Sequence, residues 1–157
     1  MIMTTMPSPV GVLTLLSDGK GLSGILFEKH KYPAPAARRA EDAFLAQAIA
    51  ALERYFAGAP PAYAGSLSLK GTPFQLAVWQ ALQAIPSGQT VTYAAIAQSL
   101  GAPRATRAVG AAVGRNPVSI LIPCHRVIGA NGKLTGFAGG LERKQTLLAL
   151  EGLRLVA

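Results

Sequence analysis

The sequence predicts an α+β protein in two parts: residues 1–72, with short strands and one long helix, and residues 73–157, mostly helical and containing a helix-turn-helix. Three observations lead to this. Short β-like runs separated by Pro, Gly and Asp turns open the chain. A stretch rich in Ala, Leu and Gln follows, with apolar residues at helical spacing. Gly71-Thr72-Pro73 then reads as a boundary, with Thr72 placed to cap a helix and Pro73 at its first position.

The elements run as follows. Met1–Met6, Gly11–Leu16 and Gly21–Phe27 are three strands, divided by Pro-Ser-Pro and by Asp18-Gly19, and they form an antiparallel meander. Arg39 to Ala57 is an amphipathic helix, with Phe44, Ala48, Leu52 and Tyr55/Phe56 on one stripe and Gly58 and Pro60 as its stop. Residues 28–40 are a basic loop, and Ser66–Leu69 is a short strand. In the second part a helix Pro73–Ile85 places Phe74, Val78, Trp79 and Leu82 toward the core, and Pro86-Ser87-Gly88 ends it. Thr90 or Thr92 caps Tyr93–Leu100, Gly101-Ala102-Pro103 turns the chain, and Arg104–Val113 is a second short helix ended by Gly114. Two short helices about a tight Gly-containing turn are the outline of a helix-turn-helix. Ser119–Ile122 has a buried-strand pattern stopped by Pro123.

Composition excludes several classes. Half of the 157 residues are hydrophobic and 14% are charged, and the mean hydropathy of +0.34 is too apolar for a disordered chain. One cysteine allows no intrachain disulfide, and one Cys with the distant His30 and His125 cannot supply a four-ligand zinc site. The start of the chain lacks a basic segment and is broken by Pro7, Pro9 and Gly11, so no signal peptide is expected. No run approaches the roughly 18 apolar residues of a membrane span, and a cytoplasmic protein is the expectation. The net charge of +8 is uneven: seven Lys/Arg against five Asp/Glu in residues 1–72 give +2, and eight against two in residues 73–157 give +6. A polyanion partner for the second part, nucleic acid above all, competes with a merely solvated face.

The second short helix is unusually bare. Ala105, Ala108, Gly110, Ala111 and Ala112 leave Arg104 and Arg107 as its only long polar side chains. Base reading in the major groove needs several donors and acceptors, which this helix lacks. Small residues suit a close, shape-based contact such as the minor groove with one Arg inserted, and they equally suit tight packing within the domain.

Residues 116–129, N-P-V-S-I-L-I-P-C-H-R-V-I-G, place the only cysteine, Cys124, after a proline at the end of an apolar run. A thiol becomes nucleophilic at neutral pH when an imidazole or cation favours its thiolate, and His125 and Arg126 follow directly, with Asn116 and Glu151 as potential orienting partners. Neighbours on an extended chain point to opposite sides. A protease-like Cys-His ion pair therefore requires a bend or a bridging water.

These segments are together recognisable. P-C-H-R-V-I-G, its N-P-V-S-I-L-I lead-in, T-Y-A-A-I-A at 92–97, R-A-V-G at 107–110 and G-F-A-G-G-L-E-R-K-x-x-L-L-x-x-E-G at 136–152 resemble the O6-alkylguanine-DNA alkyltransferases. The resemblance covers that family's catalytic domain from about Phe74 to Gly152. Residues 1–72 match in layout its ribonuclease-H-like N-terminal domain.

The resemblance implies direct repair of double-stranded DNA carrying O6-alkylguanine, with no cofactor, no membrane, no obligate protein partner and a monomeric protein. Cys124 would accept the alkyl group, His125 would draw the thiol proton through a water, and Glu151 would hold and polarise the imidazole. Asn116 would tie the turn leading to the active-site segment. Arg107 would enter the duplex in place of the flipped base, on a helix whose Arg104, Ala105 and Ala108 lie against DNA. Tyr93 would help rotate the nucleotide and donate its hydroxyl hydrogen as guanine leaves. The backbone around Cys124 and Val127 and the amide of Ala138 would read the guanine edges; Lys144 would support the loop over the pocket, and Arg126 is assigned to the substrate and DNA side.

Two positions depart from the family's usual pattern, Phe137 where tyrosine is common and Ala138 where some members have serine, and altered tolerance of bulky lesions is the expected result. Acceptance of O4-alkylthymine and cooperativity on DNA stay open. Thioether formation has no easy reverse, so each molecule would react once, and the added bulk would destabilise the spent protein. The rivals are a lesion-binding relative without an acceptor cysteine, disfavoured by Cys124; a transcription regulator, disfavoured by the bare helix; and a cysteine hydrolase or redox protein, disfavoured by the adjacent Cys-His order and the lack of a second Cys.

Overall fold

The computed structural model describes residues 1–30, 32–132 and 140–153. It divides into two compact units, one of residues 1–69 with 117–121, the other of residues 70–116 with Ile122 onward.

The first unit is built on strands β1 (Ile2–Met6), β2 (Leu13–Ser17), β3 (Leu22–Leu26) and β4 (Arg38–Arg39), in the order β3-β2-β1-β4. β1, β2 and β3 form the expected antiparallel meander, with Thr4 opposite Leu15 and Leu15 opposite Ile25. β4 was not foreseen. Residues 28–40 are not loop throughout, because Arg38 and Ala40 donate to the carbonyls of Met1 and Met3 and pair parallel to β1. Two exposed arginines carry no strand pattern, so only the backbone reveals this strand.

Helix α1 (Ala43–Phe56) begins later than its composition suggests. Asp42 accepts from the Leu45 amide at 2.9 Å and from Ser17 Oγ at 2.5 Å, which fixes the start by capping. Its buried stripe, Leu45, Ala48, Ala51, Leu52 and Tyr55, packs on the sheet. Leu13, Leu15, Leu22, Ile25, Leu45 and Leu52 are fully buried, each contributing roughly 1.5–3 kcal/mol of transfer free energy.

The outer edge of β3 is covered by two segments. Ser66 and Ser68 bond Leu22 on both sides, so the strand expected at Ser66–Leu69 is reduced to a single bridge at Leu67. Pro117 accepts from the Ile25 amide at 2.9 Å, and Ser119 donates to the Ile25 carbonyl at 3.3 Å. A Cβ on Gly21 would lie 2.7 Å from the Ser66 carbonyl oxygen, so glycine is required for this approach. Pairing ends at Ile120, whose φ of +75° bends the chain so that the Leu121 amide donates to the Ser119 carbonyl. A buried β-branched residue seldom adopts that conformation, and the bend replaces the expected Ser119–Ile122 strand.

In the second unit α2 (Pro73–Gln83) starts with a capping box: Thr72 and Gln75 satisfy each other's backbone amides, and Pro73 occupies the first turn. Val78, Trp79 and Leu82 are buried, while Phe74 is half-buried. β5 (Val91–Thr92) leads into α3 (Tyr93–Ser99), capped by Thr92, and α4 (Thr106–Gly114) follows a turn in which Gly101 has φ +71°. α3 and α4 pack together, and both are shorter than their sequence patterns. Trp79 Nε1 donates to the Ala112 carbonyl at 2.8 Å, tying α2 to α4. A 3₁₀ turn (Cys124–Arg126), β6 (Val127–Ile128) and α5 (Leu141–Leu150) complete the unit, with β6 parallel to β5.

Replacing Trp79 by Phe keeps most of the packing and leaves the buried Ala112 carbonyl without this donor. A loss of about 1–3 kcal/mol is expected, read as a lower urea midpoint at unchanged slope.

Candidate active site

Pro123, at φ −80° and ψ 67°, turns the chain so that the Cys124 amide donates to the Ile122 carbonyl at 2.8 Å. Asn116 Nδ2 donates to the same carbonyl at 2.7 Å and so holds the start of the cysteine turn. Arg126 N–H then closes on the Pro123 carbonyl and Val127 N–H on that of Cys124. Cys124 and His125 thus lie on a 3₁₀ turn, not on an extended chain, and successive side chains diverge by about 120° rather than alternating. The thiol and the imidazole are buried on different sides of one tight turn.

His125 is directed at Glu151, the C-cap residue of α5, with Nε2 2.6 Å from Oε2. Glu151 is aimed by the way that helix stops. Gly152 takes φ +90°, its amide donates to the Ala149 carbonyl and that of Leu153 to Leu148, so both orphan carbonyls are satisfied. Leu153 packs on Leu148 and Ile128, the apolar contact that accompanies this stop. Arg126 grips the same carboxylate from a second side, with Nε 2.7 Å from Oε1 and Nη2 3.1 Å from Oε2, while Nη1 donates to the Ile85 carbonyl at 2.7 Å. The Gly88 amide adds a long contact to Oε1 at 3.5 Å.

Arg126 therefore does not belong to the substrate and DNA side. Its guanidinium is buried and committed to Glu151 and Ile85. Burial and a fork geometry matched to carboxylate make it the residue that positions Glu151. Neither the Arg126 grip nor the roles of Gly88 and Gly152 are apparent from the sequence. The Glu-Gly pair at a helix end is the signal that could have found the latter.

Burial pushes the His125 pKa down, against the upward pull of Glu151. The carboxylate is shared with Arg126, so its pull on the imidazole is divided, and the charges of Arg126 and Lys144 add to the depression. Near neutral pH the imidazole is uncharged and able to take a proton. With Nε2 bound to Glu151, the ring's other nitrogen, Nδ1, is the one turned away from the carboxylate. Lys144, on α5, is fully buried.

The β5–β6 pair brings together parts remote in sequence. Thr92, immediately before Tyr93, is in register with Ile128, which follows the cysteine turn. Tyr93 is half-buried at the start of α3. On α4, Val109, Ala112 and Val113 face inward, whereas Arg107, Ala108 and Ala111 are exposed, as is Arg104 before it; Ala105 is half-buried. The bare alanine face is thus a surface and not an internal packing seam. Ala102, Pro103, Arg104 and Ala105 line a shallow concavity of about 500 Å³ at its N-terminal end. Val127 is fully buried. Phe137 and Ala138 lie outside the described residues. Among the described residues no cluster of three His, Cys, Asp or Glu could hold a metal ion, and no helix is long and apolar enough to cross a membrane.

Fold and site together define a protein with an exposed helix-turn-helix and a lone cysteine beside a buried His-Glu pair. Comparison makes this particular. Residues 73–153 match the model of the 6-O-methylguanine DNA methyltransferase DNA-binding domain, and residues 1–65 that of its ribonuclease-like domain. The chain belongs to the 6-O-methylguanine DNA methyltransferase family. It is 48% identical over 147 residues to the methylated-DNA–protein-cysteine methyltransferase of Methanosarcina acetivorans, covering 92% of this chain and 94% of that one. With the Mycobacterium tuberculosis protein of the same name it shares 46% over 154 residues, 98% and 93% of the two chains. The crystal structure of Mycobacterium tuberculosis OGT in complex with DNA superposes with a TM-score of 0.89 at 43% identity, covering 100% of this chain and 96% of that one.

The lowered His125 pKa has a consequence for folding. Below about pH 6.5 the unfolded chain binds a proton at this residue that the folded protein resists, so stability falls as pH drops through that range. His125→Gln should reduce the difference between denaturant midpoints at neutral and mildly acidic pH; an unchanged difference would show that His125 is not held neutral.

Proposed function

We propose that this protein repairs O6-alkylguanine in duplex DNA by transferring the alkyl group once and irreversibly to Cys124. The observation that carries the reading is the Glu151-His125 pair, buried and locked by Arg126 on the turn that bears the only thiol. In the proposed reaction the thiol proton passes through a water to His125 Nδ1, and Glu151 stabilises the resulting imidazolium. The sulfur attacks the alkyl carbon, the S–C bond forms as the C–O6 bond breaks, and the bonding pair leaves with the guanine oxygen. Guanine regains a proton from the Tyr93 hydroxyl, which recovers one from solvent. The lesion supplies the group transferred, so the step calls for no cofactor.

A base inside the stack cannot present its alkyl carbon to a buried thiol, so the nucleotide must be flipped. The exposed small face of α4 supports the proposal that this helix lies in the minor groove, with Ala105 and Ala108 allowing close approach, Arg107 filling the vacated space and Arg104 beside it. Asn116 holds the cysteine turn, and the backbone at Val127 and Ala138 reads the base, with Phe137 as an apolar wall and Lys144 supporting the loop over the pocket. The protein is proposed to act as a monomer without an obligate partner, in the cytoplasm, where a reducing environment preserves its one thiol.

Incubation with a duplex carrying O6-methylguanine should raise the intact mass by about one methylene unit, and Cys124→Ser should abolish the gain. Tight lesion binding without a mass change would support a damage-marking binder instead. Arg107→Ala should slow transfer from duplex by roughly tenfold or more while leaving transfer from free O6-methylguanine base nearly unchanged, since only the duplex requires unstacking; equal slowing of both would contradict the flipping role.

A further inference from the structure

The guanidinium of Arg126 stands where two helix ends meet. α2 runs out through Ala84 and Ile85, whose amides still donate to the Ala81 and Leu82 carbonyls, and the Ile85 carbonyl accepts from Arg126 Nη1 at 2.7 Å. α5 runs out at Glu151, whose carboxylate accepts from Nε at 2.7 Å and from Nη2 at 3.1 Å. Neither helix has a basic residue in its last turn. A helix C-terminus carries roughly half a negative charge, which a cation stabilises. Two such ends and a carboxylate only 2% exposed therefore converge on one side chain.

His125 sits in the same surroundings, with Nε2 2.6 Å from Oε2, the oxygen that Nη2 also holds. Of the charged groups on α5, which packs on this turn, Glu151 favours the imidazolium and Lys144 opposes it; on the turn itself Arg126 opposes it, and Cys124 is the neighbouring titratable group. A buried carboxylate whose charge no cation offset would draw the imidazole toward its protonated form. A histidine that already holds a proton cannot accept one from the thiol.

We propose that Arg126 is a positioning residue that sets the lowest pH at which Cys124 is activated, because its fork offsets the Glu151 charge and keeps His125 unprotonated until the thiol supplies a proton. The proposal rests on the reading of Cys124 as the alkyl acceptor and deepens it. Shape matters here as well as charge. The guanidinium meets both carboxylate oxygens and the Ile85 carbonyl at once, whereas a lysine ammonium is a point charge on a flexible stem and cannot hold all three. Arg126→Lys therefore offsets part of the Glu151 charge, and Arg126→Met offsets none.

Two pH titrations on each protein test this. The rate of methyl transfer from an O6-methylguanine duplex, read by intact mass, gives the acid limb of the reaction, and NMR of the His125 ring protons gives the midpoint of the imidazole. Both midpoints should lie about one pH unit or more higher in Arg126→Met than in the parent, with an intermediate rise in Arg126→Lys. At a pH below both limbs the Arg126→Met rate should be about tenfold lower or less, and the deficit should shrink as pH rises past the shifted midpoint. A purely structural role would lower stability and leave both midpoints in place. Midpoints unmoved, or moved downward, in either folded variant would overturn the proposal; if Arg126→Met does not fold, Arg126→Lys decides alone. Should the imidazole midpoint rise as expected while the duplex leaves Cys124 of the parent unmodified, the role of Arg126 toward His125 stands and the alkyltransferase reading falls.

Discussion

The carboxylate of Glu151 is the constraint on which the rest of the site depends. It is asked to hold an imidazole in one orientation, and a single flexible glutamate at a helix end would do this poorly. Arg126 takes both carboxylate oxygens and anchors its remaining arm on Ile85, leaving Oε2 at 2.6 Å from His125. The helix stop built on Gly152 sets where Glu151 emerges, and the contact of Leu153 with Leu148 and Ile128 keeps that stop in place. Remove either support and the imidazole loses its fixed tautomer, which is the property a proton acceptor needs.

Such an arrangement is expensive for a chain of this size. His125, Arg126 and Lys144 are all buried within a few residues of one another's elements, where hydrophobic side chains of equal volume would stabilise the fold more. Under the single transfer proposed for Cys124, this balance does not have to be preserved after reaction.

Much of this was legible in the sequence, and the exceptions share a cause. The β1–β3 meander, the Thr72/Pro73 helix start and the helix-turn-helix outline are local patterns, set by turn residues, caps and periodicity. β4 escaped because its pairing is made by the backbone of two arginines, and the Ser119–Ile122 strand failed because Ile120 adopts a positive φ that no local pattern announces. In the site, adjacency on the chain suggested that Cys124 and His125 project oppositely. Pro123 and the 3₁₀ turn replaced that geometry. Arg126 was expected on the substrate and DNA side, and only its contact to Glu151, 25 residues away, reveals it as internal. Which alanines of α4 lie at the surface and which in the core is shown only by the fold, with Ala108 and Ala111 exposed and Ala112 buried.

The central claim is that Glu151 orients His125 to activate Cys124. The most direct measurement is the single-turnover rate of methyl transfer from an O6-methylguanine duplex across pH, for the parent and for Glu151→Gln, which keeps the shape and removes the charge. The account expects a loss of about 10²-fold or more near neutral pH, narrowing at alkaline pH where the thiol ionises without help from a base. Equal rates at every pH would contradict it.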